Sequence, residues 1–401
     1  MVETTNLQSR RRSVGAFYFQ AGVREFIPIY PLYAMLMGEN GITPVELATL
    51  FSIWSLVGIV AEVPSGALAD TLSRKWLVVA SAVLKSLAFL TWYLEPSFWG
   101  YAAGFALWGI GSSLRSGAWE ALLHDLLSEW HATGDFGKIF GRTNALATLG
   151  VGAGELAGGL MIIMGYDFVL LISMVIPLVA VAPFALWVND PPKDEQAYEA
   201  DYFDNLKAGI AEAGANRTVL YILLTYSTLI VTYGVYEEFV SPLFLEKGFS
   251  LMWVGILGAF ISAMEAAGMA LADRARYIPL TKLLLMMAVA SLVLAATFPL
   301  GGWIVPLMIG GYFTVFGMSS TMFGAELQGA IQGPARATVT SVAGFVENIG
   351  AVLGFMAFGV VAEYFGMNGG TLATGVVAAL LALGFIALGN AWGITRGSES
   401  D

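Results

Sequence analysis

Cysteine is absent from the chain, so it has no disulfide framework, no thiolate metal site and no cysteine nucleophile. Charged residues are scarce at 12% of 401 positions, against roughly 25% in soluble domains, and water is therefore not the main solvent. HExxH, GxSxG and P-loop patterns are missing, as is any clustered His/Asp site, which argues against an enzyme and against an ATP-driven pump. No pore-loop or repeated filter signature points to a channel. Only two histidines occur. His124 stands beside Glu120 and Asp125 without metal-ligand spacing and reads as part of an interfacial ion-pair cluster, so neither a metal nor a cofactor is expected. The net charge of −11 says little about partners, because many of its carboxylates fall inside apolar runs or in one central polar stretch. Nucleic acid is not among the expected partners.

What the chain has instead is apolar sequence: 57% of it is hydrophobic and its mean hydropathy is +0.72. Stretches of 18 or more apolar residues recur from end to end, each long enough to cross about 30 Å of hydrocarbon. They are continuous and rich in Leu, Ala, Gly and Val rather than alternating, so the spanning elements are helices and not barrel strands. Spans are expected near 14–37, 45–69, 76–94, 99–127, 138–164 and 167–189, then near 218–245, 251–272, 279–299, 302–331, 337–364 and 370–392. This predicts an all-α membrane protein with about twelve transmembrane helices in two six-helix bundles, residues 1–189 and 218–401, joined by a polar linker over 190–217. The first apolar run carries Arg24 and Glu25 and lacks a small-residue cleavage site, so it reads as a retained span rather than a signal peptide.

Lys and Arg concentrate on the cytoplasmic side of membrane proteins. With the N-terminus inside, Arg10, Arg11, Arg12, Arg74, Lys75, Lys138, Arg142, Lys193, Lys207, Arg217, Arg274, Arg276, Lys282, Arg336 and Arg396 fall on that side and Lys247 falls outside. Both termini are thus expected in the cytoplasm, with the chain in the cell (inner) membrane.

The second and eighth spans end in related segments, EVPSGALAD (62–70) and EAAGMALAD (265–273), each with Glu eight residues before Asp. Parallel repeats of this kind build one large class of secondary transporters. GALADTLSRK (66–75) resembles motif A of the major facilitator superfamily, and GVGAGELAGG (150–159) is similar to motif C of its drug:proton antiporter branch. The resemblance implies the major facilitator fold, two pseudo-symmetric six-helix bundles, and a cytoplasmic latch made by Gly66, Asp70, Arg74 and Lys75. In that latch Gly66 would permit close helix approach, Asp70 would face the start of span eleven after Arg336, and Arg74 would pair with Asp125. Glu62, Glu265 and Asp273 join the same gate through the repeat. Gly150, Gly154, Gly158 and Gly159 match motif C, but Glu155 stands where that motif has proline.

Ionised groups at mid-bilayer are costly and face a cavity or a partner. At 1.5 Å per residue, Glu25 and Glu347 lie roughly 16 Å into their spans, near the midplane. These two, with Arg24, Arg115, Glu155, Glu237 and Glu238, are the candidates for substrate binding and proton coupling, Glu25 and Glu155 foremost as proton carriers. A helical continuation through residues 24 and 25 would turn Arg24 about 100° from Glu25, towards a neighbouring span. Aromatic residues such as Tyr30, Trp54, Trp108 and Tyr233 suit a cavity for bulky apolar or cationic compounds, and suit lipid-facing anchors equally.

The resulting expectation is a monomeric, proton-coupled secondary transporter working by alternating access on a small molecule, exporting lipophilic or cationic compounds. The alternatives are a symporter or uniporter for a nutrient or lipid and, more remotely, a receptor or scaffold.

Overall fold

Long apolar windows bounded by Ser, Asn, Pro and Gly produce helices, and among the described residues every regular element of the computed structural model is helical. The structure describes residues 2–190, 211, 214, 216–331 and 336–394, leaving out the side chains of residues 2–7, 63, 67, 70, 336–338, 340 and 341. Most of the linker expected over 190–217, with Lys193 and Lys207, lies outside the described residues, as do Arg396 and the side chains of Asp70 and Arg336.

The helices are α1 (Val2–Arg24), α2 (Tyr33–Glu39), α3 (Pro44–Thr71), α4 (Arg74–Leu94), α5 (Phe98–Glu129), α6 (Phe136–Met161) and α7 (Tyr166–Trp187). After the linker come α8 (Arg217–Glu246), α9 (Leu251–Ala275), α10 (Leu280–Ala295), α11 (Ile304–Ala330) and α12 (Arg336–Ala391). Side-chain caps start several of them. Ser73 accepts from Trp76 N, Ser97 from Gly100 N, and Asn216 from Thr218 N and Val219 N, each satisfying donors that a helix start leaves open.

Eight helical stretches are long and apolar enough to cross a membrane among the described residues. One of them, 342–391, is two crossings, because Gly366 breaks α12 with φ 72° and ψ 175°. The shorter apolar α10, the Gly- and Trp-rich α5 and the charge-bearing α1–α2 pair complete the twelve expected crossings. The repeated segments 62–70 and 265–273 close α3 and α9 respectively.

The first span is not the continuous helix over 14–37 that its hydropathy predicts. Helix α1 stops at Arg24 and residues 25–32 run through turns before α2 begins. Pro28 and Pro31 cause the break, since each lacks an N–H and blocks the helical hydrogen bond it would occupy. The unwound backbone finds substitutes: Phe26 N donates to Val23 O (3.1 Å), Tyr30 N to Ile27 O (3.1 Å), and Ile29 N to the Ser173 hydroxyl of α7 (3.0 Å).

The contacts divide the chain into two compact units, the first comprising Met1–Ile42, Ile53–Tyr198 and Leu251–Ala259, the second Thr43–Ser52, Glu199–Ser250 and Phe260–Asp401. In the first, Phe17 lies edge-on to Trp119 (5.1 Å) and Phe184 (5.0 Å), with Leu122, Leu123 and Val181 buried in the same core. The buried Gln20 accepts from the indole N–H of Trp119 (3.1 Å). In the second, Phe239 stacks on Phe358 (3.9 Å) and the hydroxyl of Tyr221 donates to Phe385 O (3.1 Å).

At the break in α12, Glu246 accepts the N–H groups of Met367 (2.5 Å) and Asn368 (3.1 Å), capping the second arm. The next residue, Lys247, donates to the carbonyls of Thr297, Phe298 and Leu300 at 2.9, 3.1 and 2.6 Å. Burial in this clamp lowers the ammonium's pKa, and Glu246 opposes the shift. A Cβ at Gly366 would stand 3.0 Å from the Glu246 carboxylate oxygens, and its φ/ψ belong to a region that only glycine occupies cheaply. Gly366→Ala is expected to destabilise the protein by about 1–3 kcal/mol, read as a lowered thermal unfolding midpoint in detergent. An unchanged midpoint would mean that the kink is not held as described.

Candidate functional site

Three of the motif C-like glycines, Gly150, Gly154 and Gly158, lie on one face of α6 and admit the broken part of the first span. A Cβ at Gly154 would come within 2.6 Å of Ile27 N, and at Gly150 and Gly158 it would collide with the carbonyls of Gly22 and Pro28. Gly159 faces the other way within the same unit, where a Cβ would lie 2.6 Å from Met252 O. Glu155, between them, extends towards Gly258.

The break places Arg24, Glu25 and Tyr30 at a cavity of about 210 Å³, whose other walls are Gln20, Trp54, Ser81, Ala82, Lys85, Trp108, Gly111, Ser112, Arg115 and Pro177. All of these belong to the first unit. Glu25 is held from two sides: Arg24 Nε lies 2.8 Å from Oε1 and Lys85 Nζ 3.7 Å from Oε2, while the Tyr30 hydroxyl donates to Oε2 at 3.2 Å. Lys85 also donates to the Tyr30 hydroxyl (2.5 Å) and sits 5.1 Å from the ring centres of both Tyr30 and Trp108. Those two rings are parallel, 5.6 Å apart. The expected pairing of Arg24 with a neighbouring span is therefore corrected. The 100° offset presumes a helix through residue 25, and the helix has already ended.

Glu155 belongs to the first unit, and the candidate acids Glu237, Glu238, Glu265 and Glu347 belong to the second. Glu347 accepts from the Ser227 hydroxyl (3.2 Å). Glu265 accepts from the Tyr233 hydroxyl (2.6 Å), which also meets Glu237, and the Tyr233 ring stacks 3.8 Å from Phe316. Among the described residues, no cation lies within ion-pair distance of Glu347 or Glu265. On α8, Glu237 is exposed and Glu238 half-buried.

In the motif A segment, Arg74 at the start of α4 pairs with Asp125 on α5, the partner that the resemblance implied. His124 Nδ1 lies 4.0 Å from the same carboxylate. Lys75 stands 5.4 Å over the Trp76 ring. Gly66 is exposed on α3, and no atom of the described residues lies within 4 Å of where its Cβ would be. Glu62 is exposed on the same helix, and Asp273 pairs with Arg276 (3.7 Å) at the end of α9.

Sequence reasoning missed Lys85 as a site residue, since its spacing on α4 gives no hint that it meets Glu25. Ser173 and Ser227 carried no signal, since a single serine in an apolar helix usually satisfies its own backbone, as Ser173 also does here by donating to Val169 O (2.8 Å).

An all-helical chain of about twelve crossings with charges gathered at internal cavities has the architecture of a polytopic transporter. The family model of the Major Facilitator Superfamily matches residues 13–355, and the chain belongs to that superfamily. It is 23% identical over 245 residues to the uncharacterized MFS-type transporter YxaM of Bacillus subtilis, covering 59% of each chain. It is 29% identical over 133 residues to the inner membrane transport protein YajR of Escherichia coli, covering 33% of this chain and 26% of that one. The matches thus span at most 59% of the length of these curated relatives. A crystal structure of a point mutant of the nucleoside transporter NupG superposes with a TM-score of 0.79 at 14% identity, over 94% of this chain and 98% of that one. A bacterial homolog of the human lysosomal transporter Spinster gives 0.74 at 16%, over 96% and 97%. At such identities the likeness establishes the fold. Membership makes the chain a multi-pass membrane protein of a transporter class rather than an enzyme.

Arg74 and Asp125 are both largely withdrawn from solvent, at 16% and 33% side-chain exposure. Arg74→Glu and Asp125→Arg are each expected to destabilise, and the charge-swapped double variant to recover part of the loss. The interaction energy expected from unfolding midpoints is about 1–3 kcal/mol. Strict additivity of the two single effects would count against the pair.

Proposed function

We propose that the chain is a monomeric secondary active transporter that works by alternating access and couples to protons, exporting lipophilic small molecules. It is seated in the cell (inner) membrane with both termini cytoplasmic. The bundles of this cycle are residues 1–189 and 218–401, with 190–217 between them as a cytoplasmic linker, and the pair Arg74–Asp125 is part of a cytoplasmic latch that also uses Gly66, Asp70, Lys75, Glu62, Glu265 and Asp273. The observation that carries the coupling is the neutral setting of two acids of the second unit, Glu347 on the Ser227 hydroxyl and Glu265 on the Tyr233 hydroxyl. A carboxylate held by hydroxyls in a low-dielectric interior gains from binding a proton, whereas one bracketed by cations gains from staying charged. Proton carriage therefore centres on Glu347 and Glu265, with Glu237, which meets the same Tyr233 hydroxyl, as a secondary candidate. Glu25 is engaged by Arg24 and Lys85, and Glu155 and Glu238 are secondary candidates.

Aromatic walls at Tyr30, Trp54 and Trp108 support a lipophilic substrate. The charges of the same cavity give a cationic one no support.

The test uses proteoliposomes with an imposed pH gradient and three naphthalene probes, 2-naphthalenesulfonate, 2-naphthalenesulfonamide and (2-naphthyl)trimethylammonium. The two charged probes keep their charge at every pH used. Movement of at least one of them is expected to follow the gradient. Glu347→Gln is expected to reduce this gradient-driven movement at least about tenfold while retaining exchange of probe across the membrane without a gradient. Movement indifferent to the gradient for every probe would overturn proton coupling.

A further inference from the structure

We propose that the cavity of the first unit is a binding site for a small organic anion carrying one or two aromatic rings. This rests on the transporter reading and names its substrate class. The charge balance comes first. The walls hold three cations, Arg24, Lys85 and Arg115, against one carboxylate, Glu25, and the remaining polar walls, Gln20, Ser81 and Ser112, are neutral. Arg24 and Lys85 share that single carboxylate. Arg115 has neither an ion pair nor a hydrogen bond among the described residues, and the carboxylates that it feels electrostatically, Glu25 and Glu120, lie beyond pairing distance.

Arg115 is half-buried, and charged groups within membrane-spanning segments are retained where they meet a ligand or an ion pathway. The planar fork of guanidinium donors matches a carboxylate, sulfonate or phosphate in a way that an ammonium does not.

Trp54 also lines the cavity, and its buried indole N–H has no acceptor among the described residues. The walls also accommodate the rest of such a ligand. Trp54 and Trp108 lie 6.0 Å apart at 56°, and Trp108 stacks parallel to Tyr30, giving flat apolar surfaces beside the charged groups.

Size sets the upper bound. At about 210 Å³, the cavity has room for about seven waters. It therefore suits one or two rings with an acidic group rather than a drug-sized compound of about 300–1,000 Å³. A bulky cation is excluded on both counts, by like charge and by volume.

Binding of the three naphthalene probes to the purified full-length protein in phosphatidylcholine nanodiscs tests the assignment. The sulfonate is expected to bind at least about tenfold more tightly than its sulfonamide isostere, with no measurable binding of the trimethylammonium. Arg115→Gln is expected to erase the preference for sulfonate over sulfonamide without weakening sulfonamide binding, and Arg115→Lys, which keeps the charge but not the fork, to restore part of it. The sulfonamide result doubles as a check that the variant is folded. Equal or tighter binding of the trimethylammonium, failure of the sulfonate to bind, or a preference untouched by Arg115→Gln would overturn the proposal. Loss of sulfonate binding on replacing phosphatidylcholine by phosphatidylglycerol would reassign the site to a lipid headgroup and overturn the soluble ligand. Anion-selective binding without gradient-driven movement would sink the proton-coupled reading and leave this site standing. Gradient-driven movement of the trimethylammonium with no preference for the sulfonate would do the reverse.

Discussion

A polar group inside a membrane helix bundle has to find a partner in the protein, because hydrocarbon offers none. Much of the first unit follows from how the chain meets that demand at residues 25–32. Pro28 and Pro31 unwind the first span where a helix would otherwise have satisfied its own backbone. Turn hydrogen bonds and the Ser173 hydroxyl replace the lost ladder, and the glycine face of α6 provides the close backbone approach that shields the segment. The same unwinding delivers Arg24, Glu25 and Tyr30 to one cavity wall, where a regular helix would have distributed them around its axis.

The two units meet the demand differently for their charged groups. The first balances its one cavity carboxylate with nearby cations and keeps a surplus of positive charge. The second holds its acids with hydroxyl groups, Ser227 for Glu347 and Tyr233 for Glu265. Ion pairs fix a charge state, and hydroxyls, which donate or accept with little rearrangement, tolerate a change of it. That difference supports the proposed division of labour between a charge-selective binding surface and proton-exchanging acids.

How much of this the sequence discloses depends on whether a feature is local. Helix positions, the repeat at 62–70 and 265–273, and the motif A and motif C segments are patterns within one span, and they are legible in composition and spacing. The Arg74–Asp125 pair was legible only through the family resemblance, since no spacing rule links α4 to α5. Glu25 with Lys85 was not legible at all: they stand far apart in the sequence, on different elements, and only the packing of the first span against α4 makes them neighbours. One error is instructive in the same way. Arg24 was oriented by assuming a helix that Pro28 and Pro31 prevent.

The substitution of Glu155 for the proline of motif C gains sense from this packing. A proline on α6 would bend that helix, yet α6 runs unbroken from Phe136 to Met161. The bend is found instead in the segment that packs on it, at Pro28 and Pro31. An unbent α6 keeps Gly150, Gly154 and Gly158 in register along one face, and that register is what lets residues 22–28 approach backbone to backbone. The position freed of proline can then carry an ionisable side chain at no cost to the helix. Rigidity in α6 and irregularity in the first span are thus two halves of one arrangement, and the cavity charges exist where they do because the bend lies on the first span and not on α6.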